Sequence, residues 1–468
     1  MIKGHVKIDI HNHNSGFTER FEKDNMITNA LNKVVPDWMG ANRAANDGVM
    51  PLSTRALGGL MLFDNDLTED VDNIFFPNEA HLVAFAGQDT NADNPRYGSK
   101  NASESRETST GYESVWDFNT SQANGSIKSL ALTLRPGGSL VSNPFTGIHN
   151  DNVFHNIRRL NGDRGYYPQP LVYDEENQEM YYIGADGYSS SSVYDSNRRI
   201  YTYTFNMTIY KEYLPHNKWK VNDEADRADY PEVVSQISYS IDSQSSDPRV
   251  YIRNGYDGYA YIVYVNQNTS GNGEFTYYKL KLSDYSFELS EPVTVAVNSV
   301  SLYGGMDGAI INDGKCILKG YNRRWIYVVD LENPVNVRSV DLGEGFWCEN
   351  YAFTNFKNGV VKFTMVSNST TESRYYWCDA LLYTDGWVVA NAPYRESTSA
   401  YTYYNPAYAL ITDSLMVYGN RDNYRSYGYR LPNYLATICN LSSAIVKTAA
   451  SSMKVTYTLT NVEEGDDG

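Results

Sequence analysis

Two histidines one residue apart, at the end of an alternating apolar run, are the first side chains whose type and spacing could do chemistry. In KIDIHNHNSG (7–16), Asp9, His11 and His13 alternate with Ile8, Ile10 and Asn12. Alternate residues of a strand share a face, so two imidazoles and a carboxylate there could hold a divalent metal and activate water. A barrel hydrolase built on such a start needs more His, Asp or Lys ligands at the ends of successive parallel strands, each followed by a helix. Beyond the pair the chain offers His5, His81, His149, His155 and His216, with a single helical pattern. The expectation is a solvated strand end closed by an Asn-Ser-Gly turn, with no metal and no cofactor.

The other candidates for chemistry are thinner. DNDLTEDVDN (64–73) carries Asp64, Asp66, Glu69, Asp70 and Asp72, oxygen ligands that suit calcium, but lacks the glycine and terminal glutamate of an EF-hand loop. Cys316, Cys348, Cys378 and Cys439 are far apart, with no histidine nearby, and read as small buried hydrophobes on strands. No nucleophile elbow, phosphate-binding loop or dinucleotide turn occurs. GYNRRWIY and GFWCENY combine arginine with aromatics, as a sugar site does, without the Asp-box repeat of sialidases.

The elements that must position these residues are mostly strands. Tyrosine is unusually frequent, 41 residues against 16 Phe and 7 Trp, and favours strands and adhesive surfaces. A formal charge of −17 with scattered basic residues excludes a phosphate-backbone binder. No apolar run is long enough for a membrane helix, and the N-terminus has no secretory apolar core, so a soluble chain made in the cytoplasm without a signal peptide is expected. In residues 1–125, NMITNALNKVV (25–35) has a helical apolar face, LGGLMLFDNDL (57–67) reads as a buried strand, and 88–111 is an almost wholly polar arm. That predicts a small mixed α/β domain.

From 126 onward a hairpin recurs, in 169–185, 247–265, 307–321, 350–366 and 406–419, each followed by a third and often a fourth strand. Four antiparallel strands per unit predict a mainly β chain whose residues 126–468 form a β-propeller of five to seven blades. A sixth blade could lie in 232–242, and the C-terminal strand is expected to close the ring.

Both ends resemble a known family. NYLATICNLSSAIVKTAASSMKVTYTLT (433–460), NMITNAL (25–31), GGLMLFDNDLTEDVDN (58–73) and ETSTGYESVWDFNTSQANGSIKSLALT (107–133) are similar to tail-associated structural proteins of phages and prophages of Gram-positive gut bacteria. Cys439 stands where that pattern has Asn. The resemblance implies a virion component at the tail tip or baseplate, or its counterpart in a phage-tail-like bacteriocin, in several copies beside other tail proteins.

On this reading residues 1–125 attach to the particle and the propeller contacts host cell-surface carbohydrate or protein, as a tail fibre or receptor-binding protein and not as an enzyme. The loops after each second strand should share one face, and their Tyr, Ser, Asn, Gly and Arg content is that of binding loops. The candidate ligand-binding residues are Tyr188, Tyr194, Tyr321, Arg323, Tyr424 and Tyr427. The alternatives are a baseplate part without a ligand and a polysaccharide depolymerase; neither nucleic-acid binding nor membrane insertion is expected.

Overall fold

The computed structural model describes residues 2–30, 57–74, 76, 80–87, 94–133, 153–159, 169–177, 179–213, 232–243, 252–266, 271–304, 308–348, 353–369, 374–390, 395–397, 409–411, 416–420, 426–430 and 434–461. The chain is mainly β, and no helix is among the described elements. It divides into two units, Met1–Pro144 with Pro432–Gly468, and Phe145–Leu431.

The first unit is a closed barrel. Its strands are β1 (Ile2–Asn12), β2 (Thr18–Ile27), β3 (Gly59–Phe63), β4 (Leu82–Ala86), β5 (Tyr97–Lys100), β6 (Arg106–Glu107), β7 (Gly111–Phe118), β8 (Gly125–Thr133) and, from the far end of the chain, β31 (Thr437–Lys447) and β32 (Ser451–Asn461). Numbers 9 to 30 belong to the second unit. The order is β32-β1-β2-β31-β8-β3-β4-β5-β7, and β7 pairs back with β32. Closure leaves no long bare edge. The period of two shows in β1, where Val6, Ile8 and Ile10 are buried while His5, Lys7 and Asp9 are not. Met453, Val455 and Tyr457 of β32 continue that inner face. Gly111 lies so close to β32 that a Cβ would run into the Leu459 carbonyl.

Three expectations are corrected here. Among its described residues the N-terminal part forms strands and not a mixed α/β core: Met26 and Ile27, assigned to a helix, lie in β2 and pair with Ile438 and Thr437, while 31–35 fall outside the described residues. Their apolar spacing fits a strand end as well as a helical turn, and pairing with β31 decides. The polar arm is not free over 94–111, because β5 runs parallel to β4 and the Tyr97 ring packs 5.0 Å from Phe85. One buried ring and a backbone ladder suffice, which composition does not register. The C-terminal strand does not close a propeller; it fills the gap between β1 and β7. The barrel therefore extends beyond 1–125 to include β8, β31 and β32.

The second unit contains five sheets. Sheet I has β10 (Gln169–Asp174), β11 (Glu179–Asp195), β12 (Ile200–Tyr213) and β13 (Glu232–Ser243); sheet II has β14 (Ile252–Asn254), β15 (Tyr259–Asn266), β16 (Asn272–Lys281) and β17 (Val293–Asn298). Sheet III has β18 (Ala309–Asn312), β19 (Lys315–Lys319), β20 (Trp325–Asp330) and β21 (Val337–Asp341). Sheet IV has β22 (Phe346–Cys348), β23 (Thr354–Phe356), β24 (Val360–Ser369), β25 (Arg374–Tyr383), β26 (Val388–Ala390) and β27 (Arg395–Ser397). Sheet V has β28 (Ala409–Ile411), β29 (Met416–Asn420) and β30 (Ser426–Arg430), and takes its fourth strand, β9 (Val153–Arg159), from the start of the unit.

All five predicted hairpins are present. The Asp313-Gly314 turn joins its strands with two residues in the left-handed region, φ 47° and 68°, which the right-handed twist of a hairpin favours. Residues 232–242 form no sixth unit but lie in β13.

Neighbouring sheets stack face to face. In sheet II, Ala260, Ile262 and Tyr264 pack toward sheet I, whereas Tyr261, Val263 and Val265 pack toward sheet III. Both faces are covered, so YAYIVYV reads as a continuous apolar run. Many tyrosines serve this core, the ring buried and the hydroxyl reaching a partner: Tyr261 donates to Asp257 at 2.5 Å and Tyr278 to the Ser240 carbonyl at 2.5 Å.

The first strands touch in cyclic order, β10 to β14, β18, β23, β28 and back to β10. Asparagines bind several of their ends together. Asn254 Nδ2 donates to the Leu171 carbonyl at 2.6 Å, Asn355 Nδ2 donates to the carbonyls of Asn254 (2.9 Å) and Ile311 (2.7 Å), and Asn312 Nδ2 donates to those of Phe356 (2.8 Å) and Val360 (3.0 Å). Asn355→Ala strips a donor from two buried carbonyls, at about 1–3 kcal/mol each. Denaturant unfolding should show a loss of about 2–6 kcal/mol; an unchanged midpoint would mean that the asparagines do not hold the ring.

Candidate functional site

The asparagines also orient the sheets. Asn254 ends β14, Asn312 ends β18, and Asn355 is the middle residue of the three-residue β23, one position before its end, so the C-terminal ends of these strands meet at one end of the ring. Strands within each sheet are antiparallel, which puts the turns between second and third strands at the opposite end. Residues 320–324 form that turn in sheet III.

Of the six candidates, Tyr321 and Arg323 are in this turn. Tyr321 is 47% exposed. Tyr194 is the penultimate residue of the second strand of sheet I, is 51% exposed and packs 4.7 Å from the Tyr201 ring. Tyr188 pairs with Met207 in the same strand, beyond an irregularity at 184–187, and Tyr427 pairs with Arg158 in sheet V. The side chains of Tyr188 and Tyr427, and all of Tyr424, fall outside the described residues. The structure thus brings together Tyr321 and Arg323, on one turn.

That turn is tied down on three sides. Tyr321 N donates to the Ser301 carbonyl at 2.9 Å, Tyr303 N to the Lys319 carbonyl at 3.0 Å, and Cys348 N to the Arg323 carbonyl at 2.7 Å. Arg323 adopts φ 59°, a conformation that a non-glycine residue keeps only where its surroundings impose it. Its guanidinium lies 5.9 Å from the centre of the Tyr303 ring, and the buried Lys319 ammonium lies 5.0 Å from the same ring and 5.9 Å from that of Phe353. Two cations thus approach the Tyr303 ring, each contact contributing about 0.5–1 kcal/mol or more where water is excluded.

Neighbouring Arg324 is used differently: its Nε and Nη2 donate to the two Asp341 oxygens at 2.6 Å each, which holds the Asp341 carboxyl below its ordinary range. Tyr303, Lys319 and Phe353 escaped the sequence reading because each sits on a different segment. The usable signal was Lys319 ending the apolar run CILK.

The first-noticed histidines are differently placed. His11 Nδ1 is 3.0 Å from Thr18 Oγ1 and its ring stands edge-on to His13 at 5.0 Å. Asp9 is bound by Arg20 at 2.7 Å and Lys7 at 3.3 Å; partial burial raises its pKa, and these partners together outweigh that and lower it. In the acidic stretch, Asp64 holds His81 at 2.8 Å, Asp66 faces Lys128 at 3.4 Å, Glu69 accepts from Asn440 at 3.1 Å and Asp70 caps the Asp72 amide at 2.9 Å. The carboxylates point to separate partners. Among the described residues no group of three or more His, Cys, Asp or Glu is arranged to hold a metal ion. The four cysteines are buried and unbridged, and burial pushes the Cys439 thiol up to about 11, far from a thiolate at neutral pH.

No family model and no curated protein matches the chain. Solved structures with some similarity include an endo-arabinase from Bacteroides thetaiotaomicron, 12% identical over 52% of this chain and 93% of that one, with a TM-score of 0.22. A luciferin-regenerating enzyme is 10% identical over 62% of this chain and 96% of its own, with a TM-score of 0.25. A puromycin hydrolase is 11% identical over 65% of this chain and 48% of its own, with a TM-score of 0.25. All three scores are low, and no role is transferred from these proteins.

Proposed function

We propose that this chain is a tail-tip or baseplate protein of a phage or phage-tail-like particle that binds glycan on the host cell surface. The barrel attaches it to the particle, and the five sheets act as the blades of a five-bladed propeller whose second-to-third turns face the cell. The observation that carries the binding role is the exposed Tyr321 ring beside Arg323 on a braced turn. An aromatic face with a charged fork is a combination that grips sugars, and bracing reduces the entropy lost on binding.

The placement of the resembling segments supports the division of labour. Residues 25–31, 58–73, 107–133 and 433–460 belong to the barrel unit, although they are scattered from one end of the chain to the other. A shared barrel with a ring of its own is what a common particle and a particular target require.

The test is binding of the labelled full chain to a panel of Gram-positive gut bacteria, before and after stripping their surface polysaccharide. Stripping should abolish binding, and Tyr321→Ala with Arg323→Ala should weaken it at least ten-fold. Binding to no strain, or binding indifferent to stripping, would overturn the reading; turnover of the polysaccharide would make the protein a depolymerase.

A further inference from the structure

We infer that the Tyr321 and Arg323 turn recognises an oxyanion carried on a sugar, a carboxylate or phosphate ester of an acidic surface polymer. This rests on the glycan-binding reading and adds the chemistry of the ligand.

Two adjacent arginines make the case. Arg324 places its Nε–Nη2 edge on Asp341, whereas no carboxylate lies within ion-pair distance of Arg323 among the described residues. Local charge balance is therefore complete at one and open at the next. A chain with a formal charge of −17 does not draw anions by its overall field, so a guanidinium left without a carboxylate is a local device.

Geometry prepares it. The Arg323 guanidinium lies 5.9 Å from the centre of the Tyr303 ring, a contact that uses none of its N–H donors in a hydrogen bond to an oxygen. Carboxylate and phosphate oxygens accept such donors in pairs, and the bidentate bond is about twice as strong as a neutral one. The backbone of the turn is fixed through Ser301, Gly320 and Cys348, so the fork is held before the ligand arrives. Tyr321, two residues earlier and exposed, offers its ring to the sugar that bears the anion.

The experiment measures affinity of the full chain for three soluble probes at physiological salt: an oligogalacturonate, an oligomeric glycerol phosphate and an uncharged oligogalactan. At least one acidic probe should bind ten-fold or more tightly than the neutral one, and the preferred probe tells carboxylate from phosphate ester. Arg323→Ala should erase the preference, Arg323→Lys should retain part of it, and Tyr321→Ala should weaken acidic and neutral probes alike. Equal affinity for all three probes, no binding of any, or an Arg323→Ala variant that keeps the preference would overturn the inference. Cell binding by the wild-type chain separates the two failures: if it persists while the probes fail, only the acidic ligand is wrong, and if it is absent the glycan-binding reading falls as well.

Discussion

Deleting residues 451–468 is expected to abolish folding of the barrel. The deletion removes β32, which pairs with β1 from Ile2↔Asn461 to Asn12↔Ser451 and with β7 from Gly111↔Thr460 to Phe118↔Met453. Met453, Val455 and Tyr457 leave the core, each contributing about 2–5 kcal/mol by analogy with large-to-small substitutions. Two long edges and the inner faces of Val6, Ile8 and Ile10 become exposed. The three side chains alone, about 6–15 kcal/mol, match the total stability of an ordinary domain, about 5–15 kcal/mol, and the lost strand pairing comes on top of them.

The complementary chain should fold: residues 1–135 joined by a short Gly-rich linker to 434–468. The two crossing points already touch, since Ala436 N donates to the Leu132 carbonyl at 2.8 Å and Leu132 N to Thr437 Oγ1 at 2.9 Å. Limited proteolysis and near-ultraviolet circular dichroism of both chains provide the check. A native-like barrel without β32, or an unfolded one without the ring, would refute the nested organisation.

Alkaline unfolding above about pH 10 is the second large effect. Tyr434 and Tyr457 are fully buried in the barrel unit, and burial raises both phenols well above their ordinary range, though Thr437 bonded to the Tyr457 hydroxyl at 2.7 Å works in the other direction. A group whose folded pKa is raised contributes full stability below its unfolded pKa, about 10 for tyrosine, and loses it as pH rises toward the folded value. Each phenol then costs about 1.4 kcal/mol per pH unit, roughly 3 kcal/mol for the pair.

Lysines act oppositely and earlier. Burial lowers Lys100, set 4.3 Å from the Trp116 ring, and Lys447, each to about 8, so the unfolded chain holds the extra protons between about pH 8 and 10.5 and stability rises across that window. Calorimetry from pH 7 to 11 should show a maximum near pH 10 and a steep fall above it, less steep in Tyr457→Phe. A monotonic profile, or identical slopes in both proteins, would contradict the assignment.

Much of this protein follows from local pattern. Hairpins such as IINDGKCILK are written in the chain because strand alternation and the Asp-Gly turn act over a few residues. Burial of the four cysteines follows from their apolar neighbours, and the position of Tyr321 and Arg323 between a second and a third strand follows from the hairpin pattern around them. Tertiary structure alone decided the partners of each strand. Met26 and Ile27 are strand residues because β31, more than four hundred residues later, offers them a ladder. β32 closes the barrel and not the ring, and β9 completes sheet V, because an unpaired edge is satisfied by whatever strand reaches it in space. The same holds for the surroundings of the turn: Tyr303 and Phe353 meet around Lys319, and Tyr303 reaches Arg323, only once segments far apart in sequence have packed together. Side chains and turns carry their preferences with them, whereas pairing energy between distant segments exists only once the chain has closed on itself.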